Sequence, residues 1–335
     1  MLFYTVIKSY KSSGVDILKA NSFVNKIKPY VKKTFTKNVL SGLGNFGALY
    51  EIPKKGFTNP VFISSVDGVG TKVKIAAVMK KFDTVGEDLI NHCVNDIAVC
   101  GATPLFFLDY FATGKLNLKN SVDIVKGLVK GCRLNGLSLI GGETAEMPGV
   151  YAAGDFDLAG AIVGIADKSK LVDFRNVRKT DVLIGFKSNG LHTNGYSLVR
   201  NIFSLKDYNT YYNELKNTLG KELLKTHRSY LKIIQYSLKR YNIKSFAHIT
   251  GGGIAGNTVR VIPDGLTLQI NWDAWKRPDI FKLIQNMGNV SEEDMRRTFN
   301  LGIGLIAIVS NKDVKGYLNY LSKIKEKAFI IGKVK

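Results

Sequence analysis

Acidic residues are scarce in this chain, 27 Asp and Glu against 48 Lys and Arg, yet several stand beside glycine at the ends of apolar runs. Asp67 lies in Val66-Asp67-Gly68-Val69-Gly70-Thr71-Lys72, Asp96 follows Asn95, and Glu143 follows Gly141-Gly142. Strand ends and the loops beyond them are where binding groups project, and glycine lets backbone approach a ligand closely. Carboxylates gathered in one place repel unless a cation joins them, and Mg²⁺ shared with nucleotide phosphates is the usual solution. Each acid taken alone reads more simply as the cap of a turn or helix; the neighbouring glycines weigh against that.

A second group is Ser188-Asn189-Gly190-Leu191-His192-Thr193-Asn194-Gly195-Tyr196-Ser197, dense in small hydrogen-bonding side chains after an apolar run. A histidine in that setting can move a proton or donate to phosphate, or serve only the local structure, and spacing leaves His192 open to both. His92 stands four residues before Asp96, where on a helix it could orient that carboxylate. His227 reads as a surface residue and His248 as packed in a strand. Thr250-Gly251-Gly252-Gly253 precede a helical pattern from Ile254. Such a turn offers N–H groups and a helix N-terminus to a phosphate, or is a plain tight turn.

Two nucleotide motifs fail on context. Gly42, Gly44 and Gly47 match G-x-G-x-x-G, with Asp67 20 residues beyond Gly47. Residues 32–38 make no convincing strand, however, and Pro53 comes too soon for a helix, so the dinucleotide reading is rejected. No G-x-x-x-x-G-K-[ST] occurs, so ATP, if bound, is held by another architecture.

The elements that must position these residues can be read from periodicity. Strands are expected over 61–65, 105–111, 137–140 (stopped by Gly141-Gly142) and 157–165. A helix capped by Asp83 or Thr84 presents Val85, Leu89, Cys93 and Ile97 on one face, and a second, capped by Ser121, presents Val122, Val125, Val129 and Cys132. The charged stretch 166–179 breaks the apolar pattern. The domain boundary is placed there, giving domains 1–168 and 169–335. The second half opens with a strand over 182–186, and helices and strands then alternate to a last strand near Phe329. The whole reads as two α+β or α/β domains.

At 335 residues the chain suits two domains of about 150 each. Hydrophobic residues make up 45%, enough for real cores, and no apolar run reaches the roughly 18 residues of a membrane span. Three cysteines without a CxxC argue against disulfides or a thiolate zinc site and for a cytoplasmic protein. The net charge of +21 invites a nucleic-acid reading, but the lysines are scattered rather than clustered with aromatics. A positive field also favours a phosphorylated substrate.

Taken together, SYKSSGVDI (9–17), GLGNFGALYEIP (42–53), DGVGTKVKIA (67–76), VNDIAVCGATPLFFLDYFATGKL (94–116), GGETAEMPGVY (141–151), SNGLHTNGYSLVR (188–200), HITGGGIAGN (248–257) and MRRTFNLGIG (295–304) resemble the phosphoribosylformylglycinamidine cyclo-ligases, in family order and over nearly the whole chain. The resemblance implies an aminoimidazole ribonucleotide synthetase-like fold, with an N-terminal mixed-sheet domain for ATP binding and dimerisation and a C-terminal α/β domain. It implies ATP-dependent closure of formylglycinamidine ribonucleotide to aminoimidazole ribonucleotide, with ADP and phosphate released, in purine (IMP) biosynthesis. ATP, Mg²⁺ and K⁺ are the expected cofactors, and a homodimer without nucleic-acid or membrane partners the expected state.

Residue by residue, the resemblance makes Asp67, Asp96 and Glu143 metal ligands, and Lys28, Asp67, Gly68, Thr71, Lys72, Asp96 and Glu143 the ATP site. Gly42, Gly44, Gly47, Ser188, Asn189, His192, Thr193, Asn194, Thr250, Gly251, Gly252 and Gly253 become substrate or phosphate contacts. His192, Asp96 and Lys72 are the catalytic candidates. Many relatives carry an acid between TGGG and the following Asn; Ile254-Ala255-Gly256-Asn257 has none. Formylglycinamidine synthase resembles the GGETAEMPG and HTNGYSLVR stretches less. Selenophosphate synthetase carries a reactive Cys or selenocysteine near its N-terminus, and here none precedes Cys93.

Overall fold

The computed structural model describes residues 14–335, so the start of the SYKSSGVDI match, residues 9–13, lies outside the described residues. The first half comprises α1 (Ile17–Lys32), β1 (Pro60–Gly68), α2 (Lys72–Val78), α3 (Asp83–Ala98), β2 (Thr103–Thr113), α4 (Leu118–Asn135), β3 (Ser138–Glu146) and β4 (Phe156–Asp167). Its sheet runs β1-β4-β2-β3, with β4 antiparallel to both neighbours and β2 parallel to β3, the expected mixed sheet.

The apolar period of α3 holds: Val85, Leu89, Cys93 and Ile97 are all buried. The helix is in fact buried almost all round, between the sheet, α4 and the second half. Its crossing with α4 is close enough to need glycine on both sides. A Cβ on Gly86 would meet Ile124 O at 2.3 Å, and one on Gly127 would meet Asp83 O at 2.0 Å. Three local expectations shift. No side chain caps α3. The second helix starts earlier than Ser121, because Asn117 caps it by accepting from Asn120 N. β3 continues through Gly141-Gly142 to Glu146, since pairing with β2 holds both glycines extended.

Residues 168–181 carry two short 3₁₀ turns between β4 and the next strand, and we place the domain division within them. The second half comprises β5 (Val182–Lys187), α5 (Tyr196–Ile202), β6 (Tyr211–Tyr212), β7 (Asn217–Thr218), α6 (Leu219–Leu223), α7 (Leu231–Leu238), β8 (Ile243–His248), α8 (Gly253–Thr258), β9 (Leu268–Ile270), α9 (Asp279–Gly288), α10 (Glu292–Thr298), β10 (Ile303–Val309), α11 (Val314–Lys323) and β11 (Ala328–Val334). Helices alternate with strands as expected, but the main sheet, β8-β10-β5-β11-β9, is antiparallel at every pairing, so of the two classes it is α+β. One apolar core runs through both halves. Among the described residues no helix is long and apolar enough to cross a membrane.

The two halves meet along α3. Lys72, at the start of α2, is fully buried there. It pairs with Asp88 at 2.8 Å and donates to the carbonyls of His192 at 3.2 Å and Lys225 at 2.8 Å. Burial pulls Lys72 down and pushes Asp88 up, and their mutual attraction opposes both shifts. With every donor taken, Lys72 does not reach a phosphate. It ties the halves together, a correction to its expected catalytic and ATP-binding place.

Candidate active site between the domains

A cleft of about 470 Å³ opens between the halves, lined by Asp67, His92, Asp96 and Cys100 on one side and His248, Thr250, Asn257 and Arg260 on the other. Asp67 ends β1, His92 and Asp96 stand one turn apart on α3, and His248 ends β8. The two carboxylates expected to share a cation therefore do share a cleft.

Each carboxylate has its own imidazole. Asp67 Oδ2 lies 2.8 Å from His92 Nε2, and Asp96 Oδ1 lies 2.8 Å from His248 Nδ1. His92 thus serves Asp67 first; its distance to Asp96, the partner expected from the i,i+4 spacing, is 3.9 Å. Burial works to raise both acids, but the bond and charge of His92 hold Asp67 below the usual carboxylate range, and those of His248 do the same for Asp96. Ser65 Oγ donates to Asp96 Oδ2 at 3.3 Å.

The two pairs are joined through the interior. His92 Nδ1 lies 2.8 Å from Thr193 Oγ1, Thr193 Oγ1 3.4 Å from His227 Nδ1, and His227 Nε2 2.9 Å from His248 Nε2. Six groups from Asp67 to Asp96 are thereby joined by five contacts. Asn95 Nδ2, oriented by Tyr230 N donating to Asn95 Oδ1 at 2.7 Å, lies 3.2 Å from His227 Nε2 and 3.4 Å from His248 Nε2, so it adds a donor where those two rings meet. Burial lowers His92, but its bond to Asp67 and the nearby carboxylates raise it above an ordinary histidine.

His227, read as a surface residue, is fully buried. Its backbone is fastened to α3, its N–H donating to Asp88 Oδ1 at 2.6 Å and its carbonyl accepting from Asn91 Nδ2 at 2.7 Å. Nothing in Thr226-His227-Arg228-Ser229 signals this, because the contact is made by a helix more than 100 residues away. His192 is also fully buried, at a positive φ of 64°, and stacks on His227 with ring centres 3.9 Å apart. Its Nε2 accepts from Asn189 N at 3.2 Å. Burial, aided by the charges of His248 and Lys72, holds it well below an ordinary histidine. It therefore does not face the cleft as a proton carrier. The imidazoles that do are His92 and His248.

The remaining expected residues divide. Thr71 Oγ1 meets Ser197 Oγ at 3.0 Å, so the loop after β1, with Gly68, lies along the loop after β5. In that second loop Ser188 bonds Gly190 O at 2.9 Å, Asn189 donates to Thr226 O at 3.4 Å, and Asn194 abuts Gly251. Gly251 and Gly252 are exposed at the loop surface. A Cβ on Gly253 would lie 1.9 Å from Arg296 O, so that glycine is needed for packing. Thr250 bonds Asn257, which also receives Arg260 Nη1 at 3.4 Å. Arg260, not singled out by sequence, brings an exposed guanidinium to the cleft.

Glu143 does not join Asp67 and Asp96. The register places Asp67 beside Gly160, Gly160 beside Asp109 and Asp109 beside Gly142, so Glu143 is three strands away, about 14 Å. It lines a different cleft, about 680 Å³, with Gly42, Gly44, Gly47, Asp109 and the face of α1. Burial pushes Asp109 up to about 7, against a bond from its own backbone, and Glu143 adds to the rise. Lys28 is exposed on α1, bonded to Asn25 at 3.4 Å. Residues 42–47 form turns with no strand before and no helix after, as the rejection of the dinucleotide motif requires.

Two domains joined across such a cleft define an AIR synthase-related protein. Residues 47–166 match the family described as AIR synthase related protein, N-terminal domain, and residues 178–335 its C-terminal domain. Within that class the chain belongs to the phosphoribosylformylglycinamidine cyclo-ligase family. It is 50% identical over 332 residues to the phosphoribosylformylglycinamidine cyclo-ligase of Thermoanaerobacter pseudethanolicus, covering 97% of each chain. It is 46% identical over 327 residues to that of Methylobacillus flagellatus, covering 98% of this chain and 94% of the relative. Similar folds among solved structures include thiamine-monophosphate kinase from Stenotrophomonas maltophilia (TM-score 0.67, 14% identity, 93% of both chains) and the hydrogenase maturation protein HypE in complex with ATP (TM-score 0.67, 13% identity, 93% of this chain and 86% of that one).

Proposed function

We propose that this chain closes formylglycinamidine ribonucleotide to aminoimidazole ribonucleotide, using ATP and releasing ADP and phosphate, as an enzyme of purine biosynthesis. The observation that carries the reading is the interdomain cleft. Asp67 and Asp96 face it from one domain and Thr250, Asn257 and Arg260 from the other, in a chain half identical to named cyclo-ligases. The residues fit a nucleotide-bound Mg²⁺: two carboxylates held ionised, with solvent access for the phosphates. Asp67 and Asp96 would hold that ion, which neutralises phosphate charge when bound. Phosphorylation turns the formyl oxygen into a good leaving group, the amidine nitrogen attacks the formyl carbon, and phosphate departs. The protein's part is positioning and charge stabilisation. Arg260 and the open glycines suit the ribose phosphate.

We further propose a homodimer. Phe62, Val66, Leu108 and Tyr110 lie exposed on the face of the first sheet turned away from α3 and α4. That apolar face suits a second copy of the same sheet. With edge β1 beside the partner's edge β3, Glu143 would reach the Asp67–Asp96 cleft in trans, beside Lys28 and the 42–47 turns.

The test is ADP release by the purified protein with Mg·ATP, with and without formylglycinamidine ribonucleotide, together with colorimetric detection of the aminoimidazole. Substrate-dependent ADP matched by aminoimidazole is expected, in a cytoplasmic-type buffer containing K⁺. Folded protein without turnover would end the cyclo-ligase reading.

A further inference from the structure

The atoms that join the two carboxylates by hydrogen bonds have a second use. Ligand atoms of His92, Asp96 and His248 lie within 4.8 Å of one another, and Asp67 Oδ2 is 2.8 Å from His92 Nε2. Two imidazoles and a carboxylate around an open position suit first-row divalent metals, and here a second carboxylate stands at hand. Mg²⁺, by contrast, takes oxygen ligands and sheds its water reluctantly. The rings of His92 and His248 meet edge-on at 86°, so their in-plane lone pairs can converge. The other close group, His192, His227 and His248, fails this test. His192 and His227 are stacked at 21°, their lone pairs run side by side, and the whole group is buried.

We propose that His92, Asp96 and His248, with the Asp67 carboxylate beside His92, form a site for a borderline first-row divalent cation of the Zn²⁺, Co²⁺ or Mn²⁺ kind, which seats on the protein without a nucleotide. The proposal shares two carboxylates with the functional reading above and adds two imidazoles that reading does not use. The far nitrogens are already held, His92 Nδ1 by Thr193 and His248 Nε2 by His227, the arrangement that orients ligating histidines. An ion so held occupies the place where Mg·ATP must dock, so Zn²⁺ inhibits turnover competitively with Mg·ATP.

The experiment uses the full chain, freed of metal by a chelator, with Co²⁺ as the probe and no nucleotide. One ion per protomer is expected, with visible ligand-field bands of a low-coordinate nitrogen–oxygen site. Zn²⁺ erases the bands, and an equal concentration of Mg²⁺ does not. His92→Gln and His248→Gln each weaken Co²⁺ binding by at least about 10-fold, the lower end of what loss of a ligand's supporting partner already costs. In case a variant misfolds, hyperfine-shifted imidazole N–H resonances in the Co²⁺-loaded natural protein report the same ligands directly. No uptake, or Co²⁺ bound without shifted imidazole signals and indifferent to both variants, overturns the proposal. Cobalt binding does not depend on turnover, and turnover does not depend on cobalt, so failure of this site and failure of the cyclo-ligase reading are separate results.

Discussion

A carboxylate bonded to an imidazole is held in place before its ligand arrives, and both acids of the cleft are held this way. Asp96→Asn removes the charge while keeping the shape. It also gives His248 Nδ1 an amide in place of its carboxylate acceptor. We expect kcat to fall by about 10²-fold or more, read from substrate-dependent ADP release, with thermal melting confirming the fold. His192 should behave differently. His192→Ala deprives the Asn189 N–H of its acceptor and removes a ring from a stack, so a loss of about 1–3 kcal/mol is expected in a denaturant titration. Because His192 is buried and neutral, the pH–rate profile should keep its shape. A profile that loses a limb in His192→Ala would restore this residue as the proton carrier.

Elements hold the cleft open through a few buried fastenings. Lys72 joins α2 to α3 and to two loops of the second half, and removing one partner of a buried pair leaves an uncompensated charge. Lys72→Met is expected to cost about 3–5 kcal/mol in denaturant-induced unfolding, while Lys72→Met with Asp88→Leu recovers much of it. On α10, Glu292 bridges Arg277 at 2.9 Å and Arg296 at 2.7 Å, and these bonds, against some burial, hold it down at about 2. A carboxylate whose folded value lies below its unfolded one adds stability above the unfolded value, about 4.3. That stability is lost as pH falls from there toward 2. The melting temperature of Glu292→Gln should therefore lie below that of the natural protein near neutrality, and the gap should close across that acid window.

The whole molecule is where Glu143 is decided. Within one chain it stands three strands from Asp67 on an uncovered apolar sheet face. If a second copy covers that face, Glu143→Gln and Asp96→Asn damage sites in trans. Each variant alone should be nearly inactive. Mixed after reversible dissociation, about half the dimers are hybrids carrying one intact site, so about a quarter of the natural activity should return. Sedimentation of Val66→Glu would show the face at work by yielding monomer. Failure to complement would leave Glu143 outside the site.

The sequence by itself determined the periodic elements and the chemistry on offer. The face of α3, the strands ending at Asp67 and His248, and the turns after β5 and β8 follow from local pattern, because side-chain period and glycine placement are local properties. The failure of the dinucleotide motif was equally legible, since it depends on flanking residues. Which groups touch was not legible. His227 is pinned to Asp88 139 positions away, His248 reaches Asp96 across 152, and Lys72 is spent on an ion pair and two distant carbonyls. The family resemblance put Glu143 with the other acids, and strand order put it across the sheet. Such pairings depend on register and domain packing, which arise from the summed burial of the whole chain and leave no trace in the spacing of the residues they join.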